Sequence, residues 1–325
     1  MADFDIFNGD ADGICSLVQL RLAEPRAAEL VTGVKRDIAL LDRVEATDGD
    51  RLTVLDVSMR TNGDALRRHL AAGAKVFYAD HHNAGDIPDH PGLDAHIDTS
   101  PSACSAIIVD RYLEGAHSLW AVTAAFGDGL AAAAREMCGP LGLGEHEDAR
   151  LERLGVLLNY NGYGESEADL HFHPAELFRL AAPYASPFAF LDDAPEVFAR
   201  LDEGYRADMS AAEAAEELFA AEGVWAVLLP DSAASRRVSG TYGNALAAAH
   251  PERAHAILTQ ASTGGYVVSV RAPKVRPEGA DRLCLGFETG GGRAGAAGIN
   301  HLPHSDLDRF LVAFRTAYPS SQGTA

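Results

Sequence analysis

Seven ionisable residues in this sequence follow apolar segments that are expected to be strands or a buried helix. They are Asp10, Asp12, Asp56, Asp80, His81, His82 and Asp128. Because the carboxyl ends of parallel strands open onto one crevice, these side chains are expected to meet there. Carboxylates with one or two imidazoles form the ligand set of a two-metal hydrolytic site, and they suit Mn²⁺ or Mg²⁺ better than a thiolate-preferring metal. The pattern predicts metal-dependent hydrolysis.

The triplet Asp80-His81-His82 is the strongest part of this pattern, because it directly follows the apolar run Ala74–Ala79. A lone histidine at the end of a strand is usually structural, but two histidines beside an acid are seldom accidental. One imidazole can bind a metal while its neighbour meets a phosphate or a leaving oxygen.

The turn Asp10-x-Asp12-Gly13 follows a predicted strand and opens a predicted helix, so its two carboxylates can each reach a different metal. Two other interpretations stay open at this stage. The turn is also typical of an Asx turn with N-capping. It partly fits an EF-hand calcium loop through Asn8, Asp10, Asp12 and Gly13, although Gln19 stands where the loop requires a bidentate glutamate.

The remaining two acids are ambiguous when each is taken alone. Asp56, at the end of the run Leu52–Leu55, is the natural bridging ligand, but an aspartate before Ser58 and Thr61 could also be a simple cap. Asp128, within Phe126-Gly127-Asp128-Gly129, is ordinary without the others. The hydrolytic interpretation therefore depends on the whole set.

Composition limits the classes of protein and partner. The chain has 325 residues, a formal charge of −20 and four scattered cysteines without a CxxC pair. A surface this acidic disfavours binding to long DNA or RNA but permits a small anionic substrate beside a metal. No apolar run reaches the length of a membrane span, and the N-terminus lacks a signal peptide. We expect a soluble cytoplasmic protein with reduced thiols and no membrane partner.

The predicted fold class is α/β, with an N-terminal doubly wound parallel sheet. The predicted strands are Asp3–Phe7, Glu29–Val34, Leu52–Val57, Lys75–Ala79 and a short His96–Ser100. Helices are expected at Ile38–Val44, at Ala65–Leu70 and at Ala103–Leu113, the last one capped by Ser102.

The second half of the sequence predicts a helical connector and then a smaller C-terminal α/β domain. Prolines 183 and 187 mark the expected boundary region, which gives domains 1–185 and 223–325 with a connector at 186–222. The C-terminal part is expected to contain the strand Val224–Leu229 and the hairpin Ala256–Gln260/Tyr266–Arg271. The glycine-rich stretch 290–298 is expected to be a turn leading into a helix of small residues.

In order and spacing, Asp10-Ala-Asp12-Gly13, Leu55-Asp56, Asp80-His81-His82 and Gly127-Asp128 resemble the four motifs of the DHH phosphoesterase superfamily. The C-terminal part is similar to its partner domain, DHHA1, whose glycine-rich signature resembles residues 290–298. Relatives include nano-RNases that also dephosphorylate phosphoadenosine phosphate, cyclic-dinucleotide phosphodiesterases and RecJ-type single-strand exonucleases. The compact length is most similar to the first group.

The resemblance implies roles for individual residues. It assigns Asp10 and Asp56 to one manganese ion, and it assigns the other to Asp12, Asp56, His81 and Asp128, with Asp56 bridging. Asp80 would support the site and His82 would contact the scissile phosphate, which makes Asp56, Asp80 and His82 the expected catalytic residues. Substrate phosphate is expected to contact Gly291, Gly292 and Arg293 of the glycine-rich stretch and Arg271 at the end of a strand.

Two positions depart from the family pattern. Many relatives have a histidine where this chain has Ile6, and RecJ-like members have an aspartate where it has Asn8. Asn8 is a neutral and weaker ligand, so the first ion is expected to bind loosely. Near Arg293 the family often has a histidine or another basic residue, and an arginine there retains phosphate recognition.

The sequence therefore predicts a manganese-dependent phosphoesterase in which water activated by two metal ions hydrolyses small nucleotides, short oligonucleotides or related phosphate esters. Two alternatives are a RecJ-type exonuclease acting on longer single strands and a metal- or nucleotide-binding sensor without turnover. The charge of −20 and the absence of a basic, aromatic-rich groove disfavour the first, whereas Asn8 is the only support for the second.

Overall fold

A computed structural model of the chain describes residues 1–319 and contains two compact units, Met1–Gly204 and Tyr205–Ala325. The division falls inside one helix, Pro195–Glu213, which lies within the predicted connector 186–222. Residues 320–325, the end of the predicted domain 223–325, lie outside the described residues.

The first unit contains a five-stranded sheet in which every neighbouring pair of strands is parallel. Its strands are β1 (Asp3–Phe7), β2 (Glu29–Val31), β3 (Arg51–Leu55), β4 (Lys75–Asp80) and β5 (Leu93–Ile97), in the order β2-β1-β3-β4-β5. The order reverses at β1, which lies between β2 and β3. Such a switch point opens a crevice at the carboxyl ends of the strands, and the predicted doubly wound sheet is confirmed.

The helices of this part of the chain separate or follow the strands, and the last of them continues into the second unit. They are α1 (Ala11–Ala23), α2 (Gly63–Ala71), α3 (Ser105–Tyr112), α4 (Ser118–Gly127), α5 (Ala131–Cys138), α6 (Glu145–Asn161), α7 (Pro174–Ala181), α8 (Pro187–Asp193) and α9 (Pro195–Glu213). One core joins inward side chains of the strands, such as Ile6, Val54 and Tyr78, to Leu66 and Leu70 of α2. The burial of β1 and β3 is nearly continuous towards their carboxyl ends, which is typical of parallel strands that are covered on both faces.

Three local predictions in this unit differ from the structure, one in the type of element and two in the bounds. The predicted helix Ile38–Val44 is only a 3-10 turn at Leu41–Arg43, because the side chain of Asn62 bonds the Leu41 N–H and the Ile38 carbonyl in place of helical partners. The fifth strand is Leu93–Ile97, which begins three residues before the predicted His96–Ser100.

The third difference concerns the helix that was expected to begin at Ala103 with Ser102 as its cap. The helix α3 begins at Ser105, and its first N–H groups have a distant partner instead of a local cap. Asp12 accepts hydrogen bonds from the backbone nitrogens of Ser105 and Ala106, both at 2.8 Å. A residue of the predicted site therefore also fixes the start of α3.

The second unit is built on a mixed six-stranded sheet. Its strands are β6 (Glu216–Ala221), β7 (Val224–Leu229), β8 (Ala254–Gln260), β9 (Tyr266–Arg271), β10 (Gly290–Arg293) and β11 (Ala296–Leu302), in the order β10-β11-β9-β8-β7-β6. Only β7 and β8 are parallel. The helices α10 (Ala233–Ala249), α11 (Ala280–Leu285) and α12 (Leu307–Ala317) complete an α/β unit, as predicted, and the predicted hairpin appears as β8 and β9.

The glycine-rich stretch is a β-hairpin, β10 and β11, and the predicted turn and helix of small residues are wrong there. Gly292 has a φ of +139°. A Cβ added to Gly292 would lie 2.5 Å from the Cα of Ala297, and one added to Gly290 would lie 1.7 Å from the carbonyl oxygen of Cys284. These glycines are required because the hairpin backbone closes tightly on itself and on α11.

All four cysteines are buried and unpaired. Within residues 1–319, none of the helices combines the length and the apolar composition that crossing a bilayer requires.

A buried histidine in the second sheet is expected to make the stability of this protein depend on pH. His255 in β8 is fully buried, neither ring nitrogen has a hydrogen-bond partner, and burial together with His250 and Arg253 lowers its pKa to about 4. The unfolded chain therefore binds the extra proton first, and stability is lost as the pH falls from about 6.5 towards 4. Between pH 7 and pH 5 we expect this residue to cost about 2 kcal/mol.

Urea denaturation of the wild type and of His255→Leu at both pH values measures this effect. The leucine variant should lose less stability on acidification, since it keeps the apolar contacts and removes the titrating group. Equal losses in the two proteins would contradict the prediction.

Candidate metal centre

The turn after β1 holds its two aspartates in different ways. Asp10 caps α1, because its Oδ1 accepts hydrogen bonds from the backbone nitrogens of Asp12 at 3.0 Å and Gly13 at 3.2 Å. A Cβ on Gly13 would lie 2.1 Å from the carbonyl oxygen of Asn8, so only glycine permits this turn. The Asx-turn interpretation is thus correct for Asp10, and it places this carboxylate in the crevice beside β3.

Asp56 occupies a strained position at the end of β3. It has a φ of +55°, which is rare for a residue other than glycine, and its backbone nitrogen donates to the carbonyl of Ala79 in β4. The side chain is almost completely buried. Burial and the nearby carboxylates of Asp12 and Asp10 raise the pKa of Asp56 well above its ordinary value. A strained, buried acid among other acids indicates a site that is arranged for a cation.

His81 lies at the centre of the predicted second ligand set. Its Nε2 is 3.4 Å from Asp56 Oδ1, 3.9 Å from Asp12 Oδ2 and 3.9 Å from Asp128 Oδ2. Around an octahedral ion with bonds of about 2.1 Å, adjacent ligand atoms are about 3.0 Å apart and opposite ones about 4.2 Å. The three separations from His81 Nε2 fall between these values, so each of the three oxygens lies at a distance that two ligands of one small divalent cation can have.

Asp56 and both histidines of the triplet offer ligand atoms that all lie within 4.8 Å of one another. However, the Nδ1 of His82 is hydrogen-bonded to Asp80 Oδ1 at 2.7 Å. The same nitrogen lies 3.8 Å from Asp56 Oδ1, which is too far for a hydrogen bond. The prediction that His81 binds an ion and that His82 contacts the phosphate is consistent with this difference between the two rings, and it stays a prediction.

Asp80 and His82 form a hydrogen-bonded pair. Asp80 is completely buried, and its hydrogen bond raises the pKa of His82, since it favours the charged imidazole. The other oxygen, Oδ2 of Asp80, is buried without a hydrogen-bond partner. The side chain of His82 is 47% exposed. Asp80 thus orients an accessible imidazole beside the carboxylate cluster, and the supporting role of Asp80 stays a prediction.

Asp128 is placed by the glycine that precedes it. The end of α4 packs against α1 and α6 so closely that a Cβ on Gly127 would lie 2.5 Å from the Cβ of Ala11 and 2.7 Å from the carbonyl oxygen of Gly155. Packing therefore requires a glycine at position 127. Asp128, which follows it at the end of α4, reaches the carboxyl edge of the sheet from a helix and not from a strand.

Replacing Gly127 by alanine is expected to displace Asp128. The added methyl group meets backbone and a short side chain that cannot move aside, so we expect stability to fall by about 1–3 kcal/mol. Mn²⁺ affinity should fall at least about tenfold, since one ligand of the set moves. Equilibrium dialysis with Mn²⁺ and urea denaturation measure the two effects.

Gly144→Ala is the matched control, because Gly144 is extended and the nearest atom to an added Cβ is 3.8 Å away. Its Mn²⁺ affinity should equal that of the wild type. An unchanged affinity in Gly127→Ala would show that Asp128 does not bind the ion.

Lys35 is the residue of this crevice that sequence reasoning missed. Its Nζ lies 2.5 Å from Asp10 Oδ2, 2.9 Å from Asn159 Oδ1 and 3.4 Å from Asp128 Oδ1. A signal for it existed, because Lys35 directly follows the predicted strand Glu29–Val34 and so occupies the same position as the acids after the other strands.

Lys35 changes the electrostatics of one side of the crevice. Burial opposes its charge, yet the carboxylate of Asp10 holds the pKa of Lys35 well above its ordinary value. In return, although burial alone would raise the pKa of Asp10, the ammonium lowers it. Burial raises the pKa of Asp128 despite Lys35, because the carboxylates of Asp12 and Asp10 also face it. The Asp10 side is thus neutralised, whereas the His81 side keeps an excess of negative charge.

Asn8 does not point all of its polar atoms towards a metal. Its Nδ2 donates to the carbonyl of Lys35 at 3.2 Å, and its Oδ1 is buried without a hydrogen-bond partner. The predicted role of Asn8 as a weak ligand stays a prediction that only this oxygen can fulfil.

The substrate-binding candidates lie in the second unit. Arg293 is exposed in β10, and Gly291 has open space, with nothing within 4 Å of an added Cβ. The glycine at 292 is explained by the hairpin itself. The guanidinium of Arg271 is tied to the side chains of Asn244 and Ser269 and to the carbonyl of Gly240. Arg293 and Gly291 therefore remain the better candidates.

Comparison with known proteins identifies the fold. A DHH-domain protein described as a member of a family of ribosomal proteins has a TM-score of 0.61 and 14% identity, over 97% of this chain and 86% of that one. The pGpG-specific phosphodiesterase PggH from Vibrio cholerae has a TM-score of 0.56 and 17% identity, over 97% and 98%. The exonuclease RecJ, in a structure with bound manganese, has a TM-score of 0.59 and 17% identity, over 100% and 92%.

This chain has the DHH/DHHA1 phosphoesterase fold. No family model and no curated protein sequence matches it. The similarity therefore lies in the arrangement of strands and helices, and at 14–17% identity it establishes the DHH/DHHA1 fold alone.

Proposed function

We propose that this chain is a divalent-metal phosphoesterase that hydrolyses small nucleotides, short oligonucleotides or related phosphate esters. The observation that carries the proposal is the position of His81 Nε2, 3.4–3.9 Å from oxygens of three aspartates at the switch point of the sheet. Two findings in this crevice support the presence of a cation. The pKa of Asp56 is raised by burial and by its acidic neighbours, and Asp80 Oδ2 is a buried oxygen without a partner.

In this proposal Asp12, Asp56, His81 and Asp128 hold the ion, which is Mn²⁺ or Mg²⁺ because the donors are mostly oxygen. When bound, the ion lowers the pKa of a water molecule and neutralises charge on the phosphate. The number of ions is a separate question, since Asp10, the ligand predicted for the other ion, is already paired with Lys35.

In this proposal His82 donates a hydrogen bond to the substrate, and Asp80 orients the imidazole. Asp80 accepts a hydrogen bond from the Nδ1 of His82, which leaves Nε2 as the nitrogen that can donate to a phosphate oxygen or to the leaving oxygen. The buried carboxylate keeps the ring in one orientation and favours its protonated form. Asp80 is accordingly a positioning residue in this proposal, and His82 touches the substrate.

The proposed substrate class follows from charge and from relatives. A chain of charge −20 disfavours long polyanions, whereas a small substrate meets only the local field of the crevice. PggH is named for pGpG, a dinucleotide, and RecJ for exonuclease action. We propose the smaller class for this chain, with residues 1–185 as the metal-binding domain, 186–222 as a connector and 223–325 as the domain that contributes Arg293 and Gly291.

A substrate panel tests this proposal. We would measure phosphate and nucleotide release at about 1 mM Mn²⁺, at the upper end of ordinary substrate affinities, from phosphoadenosine phosphate, linear and cyclic dinucleotides, a short RNA and a longer single strand. An Asp80→Ala, His81→Ala double variant is the control. We expect release from the small members only, and none in the control.

Other outcomes of the panel are equally informative. Preference for the longer strand would indicate a RecJ-like exonuclease in place of the small-substrate enzyme. Bound Mn²⁺ and nucleotide without turnover would indicate a sensor, and would contradict the proposal.

A further inference from the structure

The prediction of two metal ions assigns the carboxylate of Asp10 to one of them. In the structure both oxygens of this carboxylate have partners within the protein. Its Oδ1 accepts two backbone hydrogen bonds, from Asp12 and Gly13. Its Oδ2 lies 2.5 Å from the ammonium of Lys35. This ammonium is a cation that the chain itself supplies, so a divalent ion at this position would have to compete with it.

Lys35 is held in a cage of oxygens much as an ion would be. Its Nζ has three oxygen neighbours, one each from Asp10, Asn159 and Asp128, at 2.5–3.4 Å. An ammonium has three N–H donors and behaves as a compact point charge, so three oxygens satisfy it. The cage uses Asp10 and Asp128, two of the acids that the DHH motifs contribute.

The backbone around Lys35 is fixed from two sides. Its nitrogen donates to the carbonyl of Gly162 at 2.7 Å, and its carbonyl accepts from the Nδ2 of Asn8 at 3.2 Å. Gly162 approaches so closely that an added Cβ would lie 2.9 Å from the Cβ of Asp10. The lysine is therefore positioned by the fold.

The unusual Asn8 is explained by the same arrangement. The ionised side chain of an aspartate at this position would have no donor and could not replace the hydrogen bond from Asn8 Nδ2 to the carbonyl of Lys35. It would also place a further negative charge beside the buried Asp10. A neutral amide at position 8 and a cation at position 35 thus belong together.

The choice of lysine is also informative in this composition. Only three of the 27 basic residues are lysines, namely Lys35, Lys75 and Lys274. A planar guanidinium presents its charge over a wide fork, whereas an ammonium concentrates it at one atom. A chain that mostly uses arginine thus has one of its three lysines, and so a compact cation, beside Asp10.

We propose that the ammonium of Lys35 takes the place of one divalent ion, so that this chain binds a single ion, in the ligand set around His81. The inference rests on the proposed metal centre and narrows it. The ammonium of Lys35 neutralises Asp10 and lies beside Oδ1 of Asp128. The single divalent ion binds on the His81 side of the crevice, where the carboxylates keep an excess of negative charge.

Counting bound Mn²⁺ on the full chain tests this inference. Equilibrium dialysis with metal analysis should give one ion per wild-type chain, and low-temperature electron paramagnetic resonance should show a magnetically isolated ion. Lys35→Met removes the charge and keeps the length of the side chain. It should bind a second ion at least about tenfold more tightly than the wild type does, with the exchange-coupled spectrum of a close pair.

Lys75→Met is the matched control, since Lys75 is an exposed lysine at the start of β4, and it should keep a count of one. Two tightly bound, coupled ions in the wild type would overturn the inference, even if Lys35→Met fails to fold. No bound ion at all would overturn both this inference and the proposed function. One bound ion without hydrolysis of any substrate would remove the proposed function and leave the single-ion inference supported.

Discussion

Replacing Asp56 by asparagine is expected to abolish hydrolysis and, at the same time, to stabilise the metal-free protein. Asparagine keeps the shape and tolerates the φ of +55°, so the fold should survive. Activity should fall by about a thousandfold or more, because the residue that lies nearest to His81 among the acids loses its charge.

The stabilisation has a separate physical cause. Burial and the carboxylates of Asp12 and Asp10 hold the pKa of Asp56 well above its ordinary value, so its ionised form destabilises the folded state near neutral pH. In buffer with a chelator, a neutral amide should raise the free energy of unfolding by about 1–3 kcal/mol. Added Mn²⁺ should stabilise the wild type and leave the variant unchanged.

Urea denaturation with and without Mn²⁺, together with the hydrolysis assay, measures both effects. Asp94→Asn is the control, because Asp94 is an exposed aspartate on β5 and its replacement should change neither quantity. An Asp56→Asn protein that is less stable without metal and still hydrolyses its substrate would show that no cation is bound here.

Replacing His82 by alanine is expected to reduce kcat by about 10²–10⁴-fold while Mn²⁺ affinity changes little. The imidazole donates to substrate in our proposal, whereas the ion is held by His81 and the aspartates. Replacing Asp80 by asparagine should give a smaller loss, about ten- to a hundredfold, since the amide oxygen can still accept from Nδ1 but the negative charge is gone.

The double variant decides whether these two residues act as a unit. If Asp80 acts only through His82, the Asp80→Asn, His82→Ala protein should be no slower than His82→Ala alone. His146→Ala, at an exposed histidine of α6, should retain full activity. Multiplicative losses in the double variant would instead give Asp80 a role of its own, and a large fall in Mn²⁺ affinity on removal of His82 would make it a metal ligand.

The parts of this molecule that were predictable are those in which one local pattern decides the outcome. Apolar runs ending in acids placed β1, β3 and β4 correctly, because strand burial and the carboxyl-end rule act on short stretches. The turn at Asp10 was predictable in part, since an Asx turn with N-capping was one of the three interpretations that the sequence left open. These elements alone indicated the fold class.

The local predictions that were wrong depend on contacts that are distant in the sequence, or on a composition that fits two structures equally well. The start of α3 depends on Asp12, 93 residues away, which no local capping rule includes. The segment 38–44 has helical composition, but the side chain of Asn62 satisfies its backbone instead. The stretch 290–298 is rich in glycine and alanine, which fit a tight helix start and a tight hairpin equally well, and only the strand β9 beside it decides between them.

Lys35 shows why the candidate site was predicted incompletely. A motif identifies residues of the types that bind metal ions. It does not identify a lysine that is paired with one of those carboxylates. From the sequence, Asn8 was interpreted as a weaker metal ligand than the aspartate of RecJ-like proteins. In the structure it is a donor to the lysine segment, so the departure at position 8 has its explanation 27 residues further along the chain.

The most direct test of the metal centre is diffraction from crystals grown with Mn²⁺, with data collected on both sides of the manganese absorption edge. We predict one strong anomalous peak at bonding distance from His81 Nε2 and from oxygens of Asp12, Asp56 and Asp128, with no ion beside Asp10. The absence of a peak within this ligand set at saturating Mn²⁺, or a peak only at other acids of the surface, would contradict the account.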